Sequence, residues 1–527
     1  MADQPAFILA IDLGTSGPKV ALFSTRGELV DSEFEPNTLQ LLPDGGAEQS
    51  ADEWWRAIDV AVKRLLARGR VPNEQIIAIG TTGQWSTTVA LDEAGNALGP
   101  AVSWMDTRGA PYVRRLMDGI FKVSEYSLPK LLRWLDRTAG VPGMAGKDSI
   151  AHILYLKDRQ PDLYRRTYKF LEAFDYVGFR LTGCMAASFD SITLCWLTDN
   201  RYISNICYDD GLVKSSCIDR AKLPDLKPAD AVLGNLLPDI AREWGLRPDV
   251  QVVMGSPDTH SAAIGSGAVR DFDCHFYIGT SSWLVCHIPF KKTDLATSQA
   301  SLPSAIPGHY ILVDSQECAG ICLQYLRDNL LFHEDLLPTG PKPENAYQLF
   351  DQIVAQVPAG SGRLIFTPWL YGERAPIDDR NVRGVFFNQS LETTRKEMIR
   401  AVYEGIAYNA RWLLKSAEPF LKRRVEAINM VGGGARSDIW CQIHADVLDR
   451  PIRQMKDPIQ ANVRGAALLA SAALGHITYD EIPECVPVAQ TFTPNPAHRR
   501  IYDELFGEFV AIYKNNRKSF ARLNAIR

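Results

Sequence analysis

The chain has no Cys-x-x-Cys pair, no run of about 18 apolar residues, no low-complexity tract and no marked charge excess, and each absence removes a class of function. Its ten cysteines are scattered. Cys318 and Cys322 share an i,i+4 helical spacing, but no His or Cys pair lies nearby to complete a metal site, so the thiols read as reduced and partly buried. A formal net charge of −5 gives no electrostatic reason for nucleic acid or an anionic membrane as partner. The N-terminus lacks a cationic segment followed by an apolar stretch, and a cytoplasmic protein is expected. What is present is ordinary for a globular protein, 46% apolar and 23% charged residues. At 527 residues the chain exceeds what one core serves, so two large domains are expected.

Two Gly-Thr-Ser turns lie about half the chain apart. An apolar strand over Phe7–Ile11 runs into Asp12-Leu13-Gly14-Thr15-Ser16-Gly17, and a second strand, Lys19–Phe23, follows at once. Later, Cys274–Ile278 leads into Gly279-Thr280-Ser281, and Trp283–Cys286 leaves it. Small residues at a tight corner leave N–H and hydroxyl donors unscreened, and glycine allows close approach to the backbone, which suits phosphate oxygens. Either turn alone also reads as an ordinary hairpin corner. Their repetition at half-chain spacing argues for a duplicated fold whose turns hold one polyphosphate between two lobes.

Strands and helices interleave through the first half. Glu28–Phe34 extends the opening meander, and Ala51–Arg68 carries Trp54, Trp55, Ile58, Ala61, Val62, Leu65 and Leu66 in a 3.6-residue stripe. Ile76–Thr81, Thr87–Leu91 and Ala101–Trp104 read as strands, so the class is α/β. Between Arg108 and Val250 the pattern is helical and irregular, as expected of insertions that build a substrate-facing wall. The second half restarts near Phe272, giving an N-terminal domain over 1–268 and a C-terminal domain over 269–527. Helices are expected there over Glu317–Leu330, Arg395–Lys415, Ile439–Leu448, Asn462–Ala473 and Arg500–Ile526.

Asp12 ends the first strand directly before its turn. A carboxylate there either anchors the turn or holds magnesium between phosphates; magnesium keeps several waters, so one or two carboxylates suffice. Lys19 is a phosphate contact or a solvated strand residue. Asp258 follows the apolar Val252-Val253-Met254 and a Gly-Ser-Pro corner, where a small-residue helix begins. It is the N-cap of that helix or a functional carboxylate at a strand's C-terminal end, where α/β proteins place ligands. Phosphoryl transfer to a hydroxyl needs one carboxylate close to the attacking oxygen; Asp258 fits, with His260 as a rival base. Gly432-Gly433-Gly434, after the strand Ile428–Val431, does not match the GxGxxG of a dinucleotide site, and close approach of backbone to a nucleobase explains it better.

With these pieces in order, the sequence resembles the FGGY carbohydrate kinases over nearly its whole length. The matching stretches are Asp12 to Lys19, Ala47-Glu48-Gln49 before Trp54-Trp55, Gly83-Gln84, Trp104-Met105-Asp106-Thr107-Arg108, Gly255 to Asp258, Gly279-Thr280-Ser281, Gly372-Glu373-Arg374-Ala375-Pro376 and Gly432 to Asp438. The resemblance implies a two-lobed, duplicated ATPase fold shared with actin and hexokinase, ribonuclease H-like in each half, with the site in the interdomain cleft. It implies ATP and Mg2+ as cofactors. Gly14, Thr15, Ser16, Lys19, Gly279 and Thr280 would lie near the phosphates, and Gly320, Gly433, Gly434 and Asp438 near the nucleoside. Asp258 would be the catalytic base, with Asp12 and Asp258 near the metal. Gln84, Trp85, Ser86, Asp106 and Asp258 would surround the sugar.

Xylulose kinases carry Gln-Met-His-Gly, and glycerol kinases Gln-Arg-Glu-Thr, where this chain has Gln84-Trp85-Ser86-Thr87. Without the Arg-Glu pair glycerol is disfavoured, and a pentulose such as xylulose is the expected acceptor, with another ketose or polyol as the alternative. Trp85 would offer the sugar an apolar wall and one N–H donor, and Ser86 a hydroxyl, unless Trp85 is simply a core aromatic. On the adenine side, the family's usual acidic residue and alanines give way to Asn462 and Arg464. The reading from another class is an actin-like ATPase or nucleotide sensor. Oligomeric state is left open, a homodimer included.

Overall fold

The computed structural model describes residues 5–123, 125–294, 297, 299–336 and 340–524. Strand β1 (Phe7–Gly14) pairs antiparallel with β2 (Gly17–Ser24), Gly14 opposite Gly17, so only Thr15 and Ser16 form the corner. A Cβ on Gly17 would lie 2.1 Å from the Glu35 carbonyl oxygen, and its φ is +146°, so glycine is required there. β3 (Leu29–Phe34) completes the meander, and β4 (Ile76–Gly83) runs parallel to β1 on its other flank. With β5 (Val232–Asn235) and β6 (Gln251–Val253) the order is β5-β6-β4-β1-β2-β3.

The second sheet repeats this plan. β7 (Cys274–Ile278) and β8 (Ser282–Ile288) form the hairpin around the second turn. With β9 (Gln299–Pro303), β10 (Tyr310–Gln316), β11 (Ile428–Val431), β12 (Ile452–Met455) and β13 (Val488–Phe492), the order is β9-β10-β8-β7-β11-β12-β13, the short strand Thr293–Asp294 joining at the β9 edge. As β4 does for β1, β11 runs parallel to β7. An antiparallel hairpin flanked by a parallel strand thus occurs twice, which is the duplication the two turns suggested.

Helix α1 (Ala51–Leu66) begins at Ser50, whose side chain caps Glu53 N, and buries Trp54, Ile58, Ala61, Val62 and Leu65 against the first sheet. The 109–250 insertions include Lys169–Glu172, which pairs with Thr88–Leu91 in a small five-stranded sheet. Helix α2 (Asp258–Gly265) leaves the first sheet. α3 (Gly320–Tyr325) starts three residues later than expected, because Glu317 N is bonded to Glu373 Oε1 and Ala319 N to the Thr280 carbonyl; wider π-type turns over Leu326–Leu331 continue it. α4 (Arg395–Leu421), α5 (Asp438–Leu448) and α6 (Ala461–Ala473) follow. The last helix, α7 (Arg499–Asn524), matches the expected one except that 525–526 lie outside the described residues. No described helix is long and apolar enough to cross a membrane.

Although α6 comes from the second half, it lies on the first sheet. Its Val463, Ala466, Ala467 and Ala470 pack against Ile8, Ala10, Ala21, Phe23 and Ala78. It also crosses α2 in backbone contact: a Cβ on Gly465 would lie 1.8 Å from the Ser261 carbonyl oxygen, and one on Gly265 1.8 Å from that of Ala461. Arg464, expected on the adenine side, is instead buried at this crossing and donates to the carbonyls of Gly265, Lys456 and Asp457. Burial lowers its pKa to about 10.

Candidate functional site

Strand register brings the two carboxylates to one end of the first sheet. Asp12 is in register with Thr82 on β4, and Thr82 with Ser256, so Asp12 and the Ser256-Pro257-Asp258 corner end at one level, about 10 Å apart across two strand spacings. Pro257 occupies the N-cap position and Asp258 the first turn of α2, which corrects the N-cap reading. Asp258 Oδ1 accepts from Thr259 N at 2.7 Å. Burial first, and then the charge of Asp12, push the Asp258 carboxyl up to about 7. Burial also raises Asp12, with Lys19 pulling the other way, and Asp12 Oδ1 is buried with no hydrogen-bond partner among the described residues. A buried carboxylate oxygen in that state fits a cation as its missing partner.

His260 is not free to serve as the base. Its Nε2 lies 3.1 Å from the Pro303 carbonyl and its Nδ1 3.1 Å from Thr259 Oγ1, so both ring nitrogens are occupied, and burial lowers its pKa.

The first turn is braced more than expected. Thr15 Oγ1 donates to Gln84 Oε1 at 3.2 Å and accepts from Trp104 Nε1 at 3.0 Å, while its carbonyl accepts from Gln49 Nε2. Its hydroxyl therefore holds the wall, leaving the turn's backbone and the exposed Ser16 to face a ligand. Lys19 Nζ donates to the Ile459 carbonyl at 2.9 Å, tying the turn to the second half of the chain. At the second turn, Thr280 is exposed, and its carbonyl accepts from Ala319 and Ile321. Gly320 N bonds the Gly279 carbonyl, and a Cβ on Gly320 would lie 2.5 Å from that oxygen, so glycine permits the approach. Of the three clustered glycines, Gly432 and Gly434 press on Ile278, while Gly433 has open space around its would-be Cβ. Asp438, at the start of α5, accepts from Gln454 Nε2.

On the expected sugar side, several polar atoms are already engaged. Trp85 Nε1 donates to the Ser191 carbonyl at 2.8 Å, so the free N–H donor expected from the sequence is spent. The ring meets His260 edge-on, centroids 5.1 Å apart, which keeps it beside the Asp258 helix. Ser86, at φ 57°, donates to the Lys147 carbonyl at 2.7 Å and retains only acceptor capacity. Gln84 is buried between Gln49 and Thr15. Asp106 is fully buried, its oxygens taken by Ala47 N and by Arg108 N, Nε and Nη2, so it braces the wall and does not reach the cleft.

Sequence reading assigned no role to Gln49, Trp104 or Glu172. Glu172, pushed up to about 8 by burial, accepts from Thr87 N at 2.8 Å and from Ser149 Oγ, and so props the Trp85–Thr87 corner from below. Its partners are distant in sequence, and only its place at a strand end could have pointed to it.

A glycine turn in each of two repeated hairpins, and a buried carboxyl pushed up to about 7 at one strand end of the first sheet, are features that phosphoryl transfer uses. The family model for the N-terminal domain of the FGGY family of carbohydrate kinases matches residues 7–265, and that for its C-terminal domain matches 275–474. A xylulose kinase of Staphylococcus epidermidis is 27% identical, with 98% of this chain and 99% of that protein covered. The crystal structure of a gluconate kinase from Lactobacillus acidophilus superposes with a TM-score of 0.85 at 26% identity, covering 99% of this chain and 100% of that one. A ligand-bound xylulose kinase structure from the same organism gives 0.85 at 25% identity, covering 98% and 100%. The chain belongs to the FGGY family of carbohydrate kinases. It is a sugar phosphotransferase, of a family that uses ATP as phosphate donor.

Proposed function

We propose that the protein transfers the terminal phosphoryl group of ATP to a hydroxyl of a pentulose such as xylulose, with Asp258 as the base, in the cytoplasm. The observation that carries the assignment of the base is the Asp258 carboxyl, held near 7 at the first turn of α2 while its rival His260 is fully bonded. As the sugar oxygen bonds to phosphorus and the bond to ADP breaks, Asp258 takes the hydroxyl proton. Asp12 and Asp258 would hold magnesium, which when bound neutralises phosphate charge; the unpartnered Asp12 Oδ1 supports that role. Ser16, Gly14, Gly279 and Thr280 line the phosphates, and Gly433 faces the nucleoside. Xylulose is favoured by the name of the sequence relative described above, and a sugar acid is the second reading, favoured by the gluconate kinase structure at the same TM-score.

Trp85 tests the acceptor side. As a wall for the sugar's C–H face, Trp85→Ala should raise the Michaelis constant for the sugar about tenfold or more and change that for ATP little. Because the ring also packs against His260, some loss of melting temperature accompanies it. A folded variant with unaltered sugar kinetics would place Trp85 outside the acceptor site.

A further inference from the structure

Alternation along β7 splits its side chains between two faces. Cys274, Phe276 and Ile278 enter the core of the second lobe, and Tyr277 points the other way. The Tyr277 ring stacks on its cross-strand partner Trp283, centroids 3.9 Å apart and planes within 2° of parallel. Its apolar edge packs on the cluster that contains Ile264, Val431 and Ala461. The ring is thus clamped, and the clamp carries the phenol onto the second turn. A Cβ on Gly279 would lie 2.6 Å from Tyr277 Cε1 and 3.0 Å from its oxygen, so the absence of a side chain at Gly279 makes room for this phenol.

Two observations give the hydroxyl a task. It makes no hydrogen bond to any described residue, and its oxygen is not among the buried unpartnered atoms, so it is accessible and free to donate to a ligand. Asp12 and Asp258, from the opposite lobe, are the charges that act on it; with burial as the larger cause they raise its pKa, so it stays a protonated donor at neutral pH. A donor between the second glycine turn and those carboxylates stands where the reacting phosphate must pass.

We infer that Tyr277 donates its phenolic hydrogen bond to a non-bridging oxygen of the terminal phosphoryl group during transfer. The phenol keeps its proton throughout; the proton released by the sugar hydroxyl goes to Asp258, and the electron pair of the broken P–O bond leaves with ADP. This rests on the ATP-kinase reading of the same cleft. Because ADP lacks the terminal group, the contact distinguishes the two nucleotides.

The test is calorimetric binding of magnesium with a non-hydrolysable ATP analogue, and separately with ADP, to the full-length protein and to Tyr277→Phe, with turnover measured alongside. Phenylalanine keeps the stack on Trp283, so the melting temperature should hold. The analogue should bind about ten- to a hundredfold more weakly to Tyr277→Phe, the scale of a lost bond to a charged group, with ADP affinity unchanged and turnover reduced. Equal affinities for the analogue in wild type and variant, or equal loss of both nucleotides, would overturn the assignment alone. A wild-type protein that binds neither nucleotide would overturn the kinase reading with it.

Discussion

Asp258→Asn should lower turnover by at least about 10², the low end for removal of a positioned general base, while the fold and nucleotide binding survive. The amide matches the carboxylate in size and its oxygen can still accept from Thr259 N, so the corner of α2 should remain intact. What it cannot do is take a proton. The pH dependence gives a second signature. A folded pKa raised to about 7 means that the ionised, proton-accepting form grows as pH rises through neutrality and is lost as pH falls below it. When phosphoryl transfer limits the rate, wild-type turnover should therefore fall on the acid side of about pH 7, and the residual activity of Asp258→Asn should lack that limb. Near-wild-type turnover in the variant would remove Asp258 from the chemistry.

The other large effect is expected far from the reacting atoms. At the crossing of α2 and α6 there is no space for a side chain, since a Cβ on Gly465 would lie 1.8 Å from the Ser261 carbonyl oxygen. The collision is with backbone, so no rotamer relieves it; the helices must part by more than an ångström. Gly465→Ala should cost about 3 kcal/mol, the upper end for overpacking, read as a lower midpoint in urea. Gly507→Ala is the contrast. Gly507 lies within α7 with open space around its would-be Cβ, so the same change should be neutral or stabilise by up to about 1 kcal/mol. Because α2 carries Asp258 at its first turn, folded Gly465→Ala should also turn over more slowly. Equal stability of the two variants would show that the helices do not meet as closely as the geometry requires.

What could be read from the sequence follows the range of the interactions involved. The β1 and β7 hairpins, the α1 stripe and the Asp258 corner are set by neighbours in sequence, and their glycines and apolar spacing reveal them. The acceptor wall is not local. The partner that consumes the Trp85 N–H, Ser191, is 106 residues away, and Lys147, which takes the Ser86 hydroxyl, is 61 residues away. No pattern in Gln84-Trp85-Ser86-Thr87 could announce those bonds, so the polar groups expected to face a sugar turn out to be spent on the protein. Asp106 is only partly such a case: Ala47 N, 59 residues away, takes one of its oxygens, while Arg108, two residues on, is a local partner. Tyr277 was hidden differently: one aromatic in an apolar strand reads as core, and only the cross-strand stack and the bare Gly279 reveal its direction.

The most direct test of the whole reading is release of ADP from magnesium-ATP by the purified protein, measured with no sugar and then with D-xylulose, D-gluconate and glycerol in turn. A pentulose kinase releases ADP slowly alone and fastest with D-xylulose, in amounts equal to the sugar phosphate formed, with glycerol ineffective. A dominant response to D-gluconate would move the acceptor to the sugar acids and leave the transfer chemistry standing. ADP release that proceeds equally with and without every sugar would contradict phosphoryl transfer to a sugar hydroxyl altogether.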